Sequence, residues 1–223
     1  MTTSNNEPAD PLNQIAEAAG LPMPGATSGE DDWEGFLLVA LDSLEEECFG
    51  MSNSLLAEVE GVVGMQLPFE VGMLLIMGVP DDDRWVRWED NPQKVWDDWT
   101  ETVRSGVQFD VEHNAFWLAE WGPKPKALAD QRDRVAEHVA VAPPLFPLYG
   151  HRAIPLSTPT GYPSSMGNPV LSIVQTDVIR FGNDVGAWMH KDFGVPLPAW
   201  SAEGERWRNF GMWTEMMMAD ESA

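Results

Sequence analysis

From residue 33 onward, the alternation of apolar and polar positions divides the chain into helical and extended stretches. Trp33, Phe36, Leu37, Ala40, Leu41 and Leu44 recur at steps of three and four with acids on the other face, which predicts an amphipathic helix ending near Gly50. A second helix is predicted over Ser54 to Val63. "LPFEVGMLLIMG" predicts a third, with Pro68 tolerated at its first turn. Asp90 or Asn91 before Pro92 marks a further helix start. "VQFDVEH" and "AFWLAEW" alternate around Asn114 like the arms of a hairpin, with Val107, Phe109 and Val111 on one side and Gln108, Asp110 and Glu112 on the other.

"PKALADQRDRVAEHV" reads as a polar helix stopped by Pro143, Pro144 and Pro147, and "LYGHRAIPL" as a strand. In "VLSIVQTDVIRFG" the β-branched content favours a central strand entered through a turn at Gly167, Asn168 and Pro169, with Val174 in the core. "NDVGAWMHKDFG" follows as a helix running from Asn183 to Gly194. "EGERWRNFGMWTEMMM" predicts a last helix with Trp207, Phe210 and Met217 on one face. Before all of these, residues 1–32 read as a flexible acidic tail around the short apolar segment "LNQIAEAAGL", which leaves 33–223 as a single domain with helical extensions at both ends.

Charge changes this picture more than composition does. The formal net charge of the 223 residues is −23, and residues 1–83 hold 17 acids with no Lys, Arg or His. The remainder of the chain carries only −6. Such a field repels phosphate backbones and anionic membrane and attracts basic protein surfaces; solubility or adaptation to high salt accounts for it equally well. No apolar run is long enough to span a bilayer, and the first residues lack the pattern of a secretory signal. Cys48 is the only cysteine, so no internal disulfide forms, and a reducing, cytoplasmic setting is expected.

Three segments, "DVEHNAFWLAEWGPKP" (110–125), "FPLYGHRAIP" (146–155) and "GNPVLSIVQTDVIRFG" (167–182), stand in an order that resembles the SUKH superfamily, which includes fungal cell-wall assembly regulators and many bacterial immunity proteins. The resemblance covers roughly residues 52–194. It implies an α+β fold, a mostly antiparallel sheet flanked by helices, and binding to proteins in place of catalysis. "LSTPTGYPSSM" looks lengthened relative to the pattern, and Arg180 stands where an aromatic residue is expected.

Candidate chemistry is sparse. Asp110, Glu112 and His113 form the best metal or hydrolase candidate, although a hairpin tip with acids facing water explains them equally well. His113, His138, His151 and His190 are scattered and form no HxxxH or HExxH pair. Asp81, Asp82 and Asp83 lack the spaced oxygens of a calcium loop and read as a solvated acidic turn. No serine sits in a nucleophile elbow, and Cys48 at the end of an acidic helix would be a weak nucleophile. Asp177 and Arg180 point to opposite faces of a strand, so they form no acid–base pair. Tyr149, His151, Arg152 and Asp177 are expected to join in a polar network between the signature strands.

Most of the 11 Trp residues are expected in the core, with Trp85, Trp88, Trp200 and Trp213 exposed among acids and prolines. Partner binding is accordingly expected at Asp81, Asp82, Asp83, Trp85 and Trp88, with no cofactor, no metal, no nucleic acid and no membrane. The leading reading is an immunity protein for a basic toxin. The alternative is an intracellular scaffold that uses its acidic N-terminal part as an interaction arm.

Overall fold

The computed structural model describes residues 30–44, 47–156, 167–198, 201 and 209–220. Trp200, Trp207, the "LNQIAEAAGL" segment and most of "LSTPTGYPSSM" lie outside these residues. In chain order the elements are α1 (Glu30–Asp42), β1 (Cys48–Phe49), α2 (Asn53–Val63), α3 (Phe69–Met77), β2 (Val79–Pro80) and α4 (Pro92–His113). After a 3-10 turn at Ala119–Trp121 come α5 (Leu128–Val141), β3 (Leu145–Tyr149), β4 (Arg152–Pro155), β5 (Val170–Val174), β6 (Asp177–Gly182), α6 (Val185–Phe193) and α7 (Met212–Asp220). The fold is α+β. β3-β4-β5-β6 form an antiparallel meander, and β1 and β2 form a second antiparallel pair.

Alternation along the strands sends successive side chains to opposite faces of the meander, and both faces are covered. Phe146, Leu148, Ile154 and Val170 meet residues of α1, α2, α3 and α6 in one core, which also holds Trp33, Leu74 and Trp188. Leu145, Ala153, Leu171, Ile173 and Val178 meet α4, α5 and α7 in a second core through Val103, Val107, Val135 and Trp213. Strands sandwiched in this way read as near-continuous apolar runs. That is why β3, β4 and β5 hold a single charged residue, Arg152.

Local signals account for most element boundaries. Asn91 Oδ1 accepts from the Lys94 amide at 2.9 Å with Pro92 at the first helical position, so α4 starts where its cap and its proline place it. Asp184, not Asn183, caps α6: its Oδ1 accepts from the Ala187 amide at 2.8 Å, and Gly194 closes the helix in the left-handed conformation.

Four expectations need correction. α1 stops at Asp42, well short of Gly50. A helix continued to Gly50 would carry the sequence's acids at its negative end, and Cys48–Phe49 pair with Val79–Pro80 instead. A Cβ at Gly50 would lie 2.1 Å from the Ile76 carbonyl oxygen, so only glycine permits that approach. Second, "VQFDVEH" is the end of the 22-residue helix α4 and not a hairpin arm; Val103, Val107 and Val111 are buried at steps of four, and Phe109 is 45% exposed. Third, "LYGHRAIPL" and "VLSIVQTDVIRFG" are each a hairpin, turning at Gly150–His151 and at Gln175–Thr176. Val174 opposes Asp177 beside the second turn and is 51% exposed, whereas Ile173 is 7% exposed. Fourth, Phe210 lies before α7, although it is buried against it.

Candidate functional site

The acidic stretch that leaves β2 is strapped down by its own tryptophans. Trp85 and Trp88 are 4% and 1% exposed, so they are not the surface anchors expected from their acidic neighbours. Trp85 stacks on Phe193 with ring centres 5.6 Å apart, meets Trp188 edge-on, and lies 5.0 Å from the Tyr149 ring. Trp88 stacks on Phe146 at 5.1 Å. A bridge between Trp85 and Tyr149, with the Gly150 amide donating to the Arg84 carbonyl at 2.7 Å, lays this strap against the outer edge of β3. Burying these rings outweighs whatever a solvent-facing tryptophan would gain, and sequence neighbours alone do not reveal that choice. Trp213 is buried too, its indole donating to the Pro143 carbonyl at 2.8 Å.

The strap carries its charges outward. Asp82 accepts from the Arg84 amide at 2.8 Å, from the Arg84 guanidinium and from the Tyr149 hydroxyl at 3.0 Å. The bonds from Arg84 hold its carboxyl well below the usual range. Burial first, and the bond to Asp82 second, push the Tyr149 phenol up to about 12. Asp81 pairs with Arg87. Asp83, Glu89 and Asp90 are exposed and face no cation among the described residues.

Asp110, Glu112 and His113 do not converge. Asp110 is buried and clamps the β5–β6 turn: Oδ2 accepts from the Thr176 amide at 2.9 Å and the Thr176 hydroxyl at 2.6 Å, while Oδ1 accepts from the Asn114 amide group at 2.5 Å. One turn earlier on α4, a Cβ at Gly106 would lie 3.1 Å from the Gln175 Cα, so the helix and the turn touch backbone to backbone. Gln175 adopts a φ of +60, a conformation unfavourable for a side-chain-bearing residue, and the clamp holds it there. Glu112 pairs with Arg132 of α5, whose hydrogen bonds lower its pKa. His113 stacks on Phe109 and hydrogen-bonds through Nδ1 to the Phe109 carbonyl. Among the described residues no group of three or more His, Cys, Asp or Glu is arranged to hold a metal ion.

The expected network between the signature strands also takes a different form. Arg152 pairs with Asp192 of α6 at 3.0 Å, and Asp192 accepts from the Trp188 indole at 2.8 Å. His151 contacts Arg152, Tyr149 turns to Asp82, and Asp177 stays exposed at the turn. A second buried acid ties down Gly167 at the entry to β5. Glu70 of α3 accepts from the Gly167 amide at 2.7 Å, and Asn168 donates to the Pro155 carbonyl at 2.6 Å, so the start of β5 is tied to both β4 and α3.

No protein-family model, curated protein or solved structure matches the chain.

The base-free part also exposes apolar residues among its acids. α1 buries Trp33, Leu37 and Ala40 but exposes Leu38 (57%) and Val39 (60%) between the exposed acids Glu34 and Asp42. Phe49 is 47% exposed, next to exposed Glu47. A signal for this was present: "FLLVAL" holds more consecutive apolar residues than one helix face can bury. No helix among the described residues is long and apolar enough to cross a membrane.

Proposed function

We propose that this chain is a non-enzymatic protein-binding domain that works in the cytoplasm, docks a basic protein surface on its acidic first part, and serves as an immunity protein against a toxin with a positively charged cleft. One observation carries the reading. The described surface of residues 33–83 exposes the acids Glu34, Asp42, Glu47, Glu58 and Asp83 together with the apolar Leu38, Val39 and Phe49, in a stretch without a single base. Exposed apolar anchors on a surface of one sign of charge supply affinity from the former and orientation and association rate from the latter. A toxin that acts on nucleic acid needs a positive cleft, and an acidic antidote complements it.

The test pairs this chain with the product of a neighbouring toxin-domain gene and measures association across ionic strength. Association is expected to slow steeply as salt rises, because charges separated by more than about 8 to 10 Å are screened at physiological ionic strength. Charge reversal at Glu34→Lys and Asp42→Lys is expected to slow it further. Equal association rates at low and high salt would remove the electrostatic basis of the reading. Deleting residues 1–29, just before α1, separates it from the scaffold alternative: an immunity protein keeps most of its affinity, and a scaffold with an acidic arm loses it.

A further inference from the structure

Helices α4 and α5 pack side by side and leave an open furrow between them, built of two stretches of about 410 and 460 Å³ that meet at Arg104 and Ala136. From Trp96 to His113 its α4 wall rises roughly 25 Å, at about 1.5 Å per residue. We infer that this furrow seats an amphipathic, basic helix of the protein partner, with apolar side chains on the floor and Lys or Arg along the flanks. The inference rests on the reading of the chain as a binder of basic proteins, and adds a second, concave contact to it.

The chemistry of the walls selects that occupant. In the first stretch the floor is Trp96, Trp99, Val103, Val139 and Pro143. The Trp99 indole is spent on the Leu145 carbonyl at 2.7 Å, the Trp213 indole on the Pro143 carbonyl, and the Thr100 hydroxyl on carbonyls of its own helix. These residues therefore present ring faces and methyl groups, which suit aliphatic side chains and the stems and charges of Lys and Arg. In the second stretch the half-exposed Phe109 ring continues the apolar strip. The two arginines in the walls are already paired, Arg104 with Glu101 and Arg132 with Glu112. Asp97 and Asp133 line the two stretches and face no cation among the described residues, so the furrow keeps an excess of negative charge. The chain's own "LNQIAEAAGL" segment is amphipathic but carries an acid and no base, so the same charges oppose it.

The test uses a synthetic peptide of about 18 residues with leucines at helical spacing and lysines on its flanks, and a twin in which glutamates replace the lysines. Binding is measured calorimetrically with the full chain and with three variants whose folding is checked by circular dichroism: Ala136→Arg, which blocks the junction; Asp97→Lys with Asp133→Lys at exposed furrow positions; and Glu34→Lys with Asp42→Lys on α1. Expected are one-to-one binding of the lysine peptide, none of the glutamate twin, and weakening by more than about tenfold in both furrow variants but less than about threefold in the α1 variant. Equal weakening in the furrow and α1 charge variants would reduce the effect to general attraction and overturn the inference. So would retained binding in Ala136→Arg, or tenfold tighter binding after deletion of residues 1–29, which would make the chain's own segment the occupant. With the toxin-domain partner, loss of binding on α1 reversal alone sinks the furrow and keeps the acidic-binder reading. Furrow binding of the peptide with no binding of any basic partner does the reverse.

Discussion

Replacing Asp110 by Ala tests whether the residue that resembled a catalytic or metal-binding acid is instead the clamp of the β5–β6 turn. The carboxylate accepts three hydrogen bonds, two from Thr176 and one from Asn114, and Asp110 itself is 5% exposed. A hydrogen bond to a charged group contributes about 1.5–3 kcal/mol, and the partly exposed Thr176 and Asn114 recover part of theirs from water. The net loss is expected at about 3 kcal/mol. With a urea slope of about 2–3 kcal/mol per molar, the unfolding midpoint falls by roughly 1 M, followed by tryptophan fluorescence and far-ultraviolet dichroism together. Asp110→Asn keeps one acceptor and loses the charge, so it is expected between the two. A double-mutant cycle with Thr176→Val should show a coupling of about 1 kcal/mol or more, since the two residues touch. A loss below about 0.5 kcal/mol with an unchanged slope would refute the clamp. Well below its melting temperature Asp110→Ala is expected to bind a partner as the parent does.

Two further outcomes are expected. Ile173→Asp buries a carboxylate in the second core and should cost several kcal/mol in thermal or urea melts, on the order of other buried-charge substitutions, while Val174→Asp at the exposed neighbouring position should stay within about 0.5 kcal/mol; equal effects would show the assigned register to be wrong. Tyr149 should titrate near 12, read by ultraviolet difference absorbance in a Tyr162→Phe background. Because its folded value lies above the unfolded value of 10.0, stability from its buried, hydrogen-bonded phenol is intact below about pH 10 and is lost as pH rises through the folded value. Asp82 has the opposite sign: its depressed pKa stabilises the fold above the unfolded value of 3.8, and that contribution fades as pH falls below it. Asp82→Asn should lower the Tyr149 value but leave it above 10, since burial is the larger cause; titration of the parent at 10 would contradict the buried geometry.

Where a local signal and the tertiary environment agreed, the elements were legible from the chain alone. The helical spacing of α2, Asn91 with Pro92 for α4, and Gly194 at the end of α6 needed no knowledge of the rest of the molecule. The hairpin expected around Asn114 failed because six alternating residues satisfy period 2 by accident. Only the longer window back to Val103 shows the step of four that the second core enforces. The two strands in "VLSIVQTDVIRFG" read as one because β5, buried over four of its five residues, shows no alternation of polar and apolar positions. The polar Gln175-Thr176-Asp177 step marks the turn within it, and that turn is held from outside by Asp110, a residue 66 positions away from Thr176. The candidate site divides in the same way. Net charge and the absence of bases before Arg84 are properties of composition and survive any fold. Which tryptophans face solvent is decided by competition for buried area: Trp85 and Trp88 lie beside acids in sequence but beside Phe193 and Phe146 in space, while Leu38, Val39 and Phe49 are left at the surface of the acidic part.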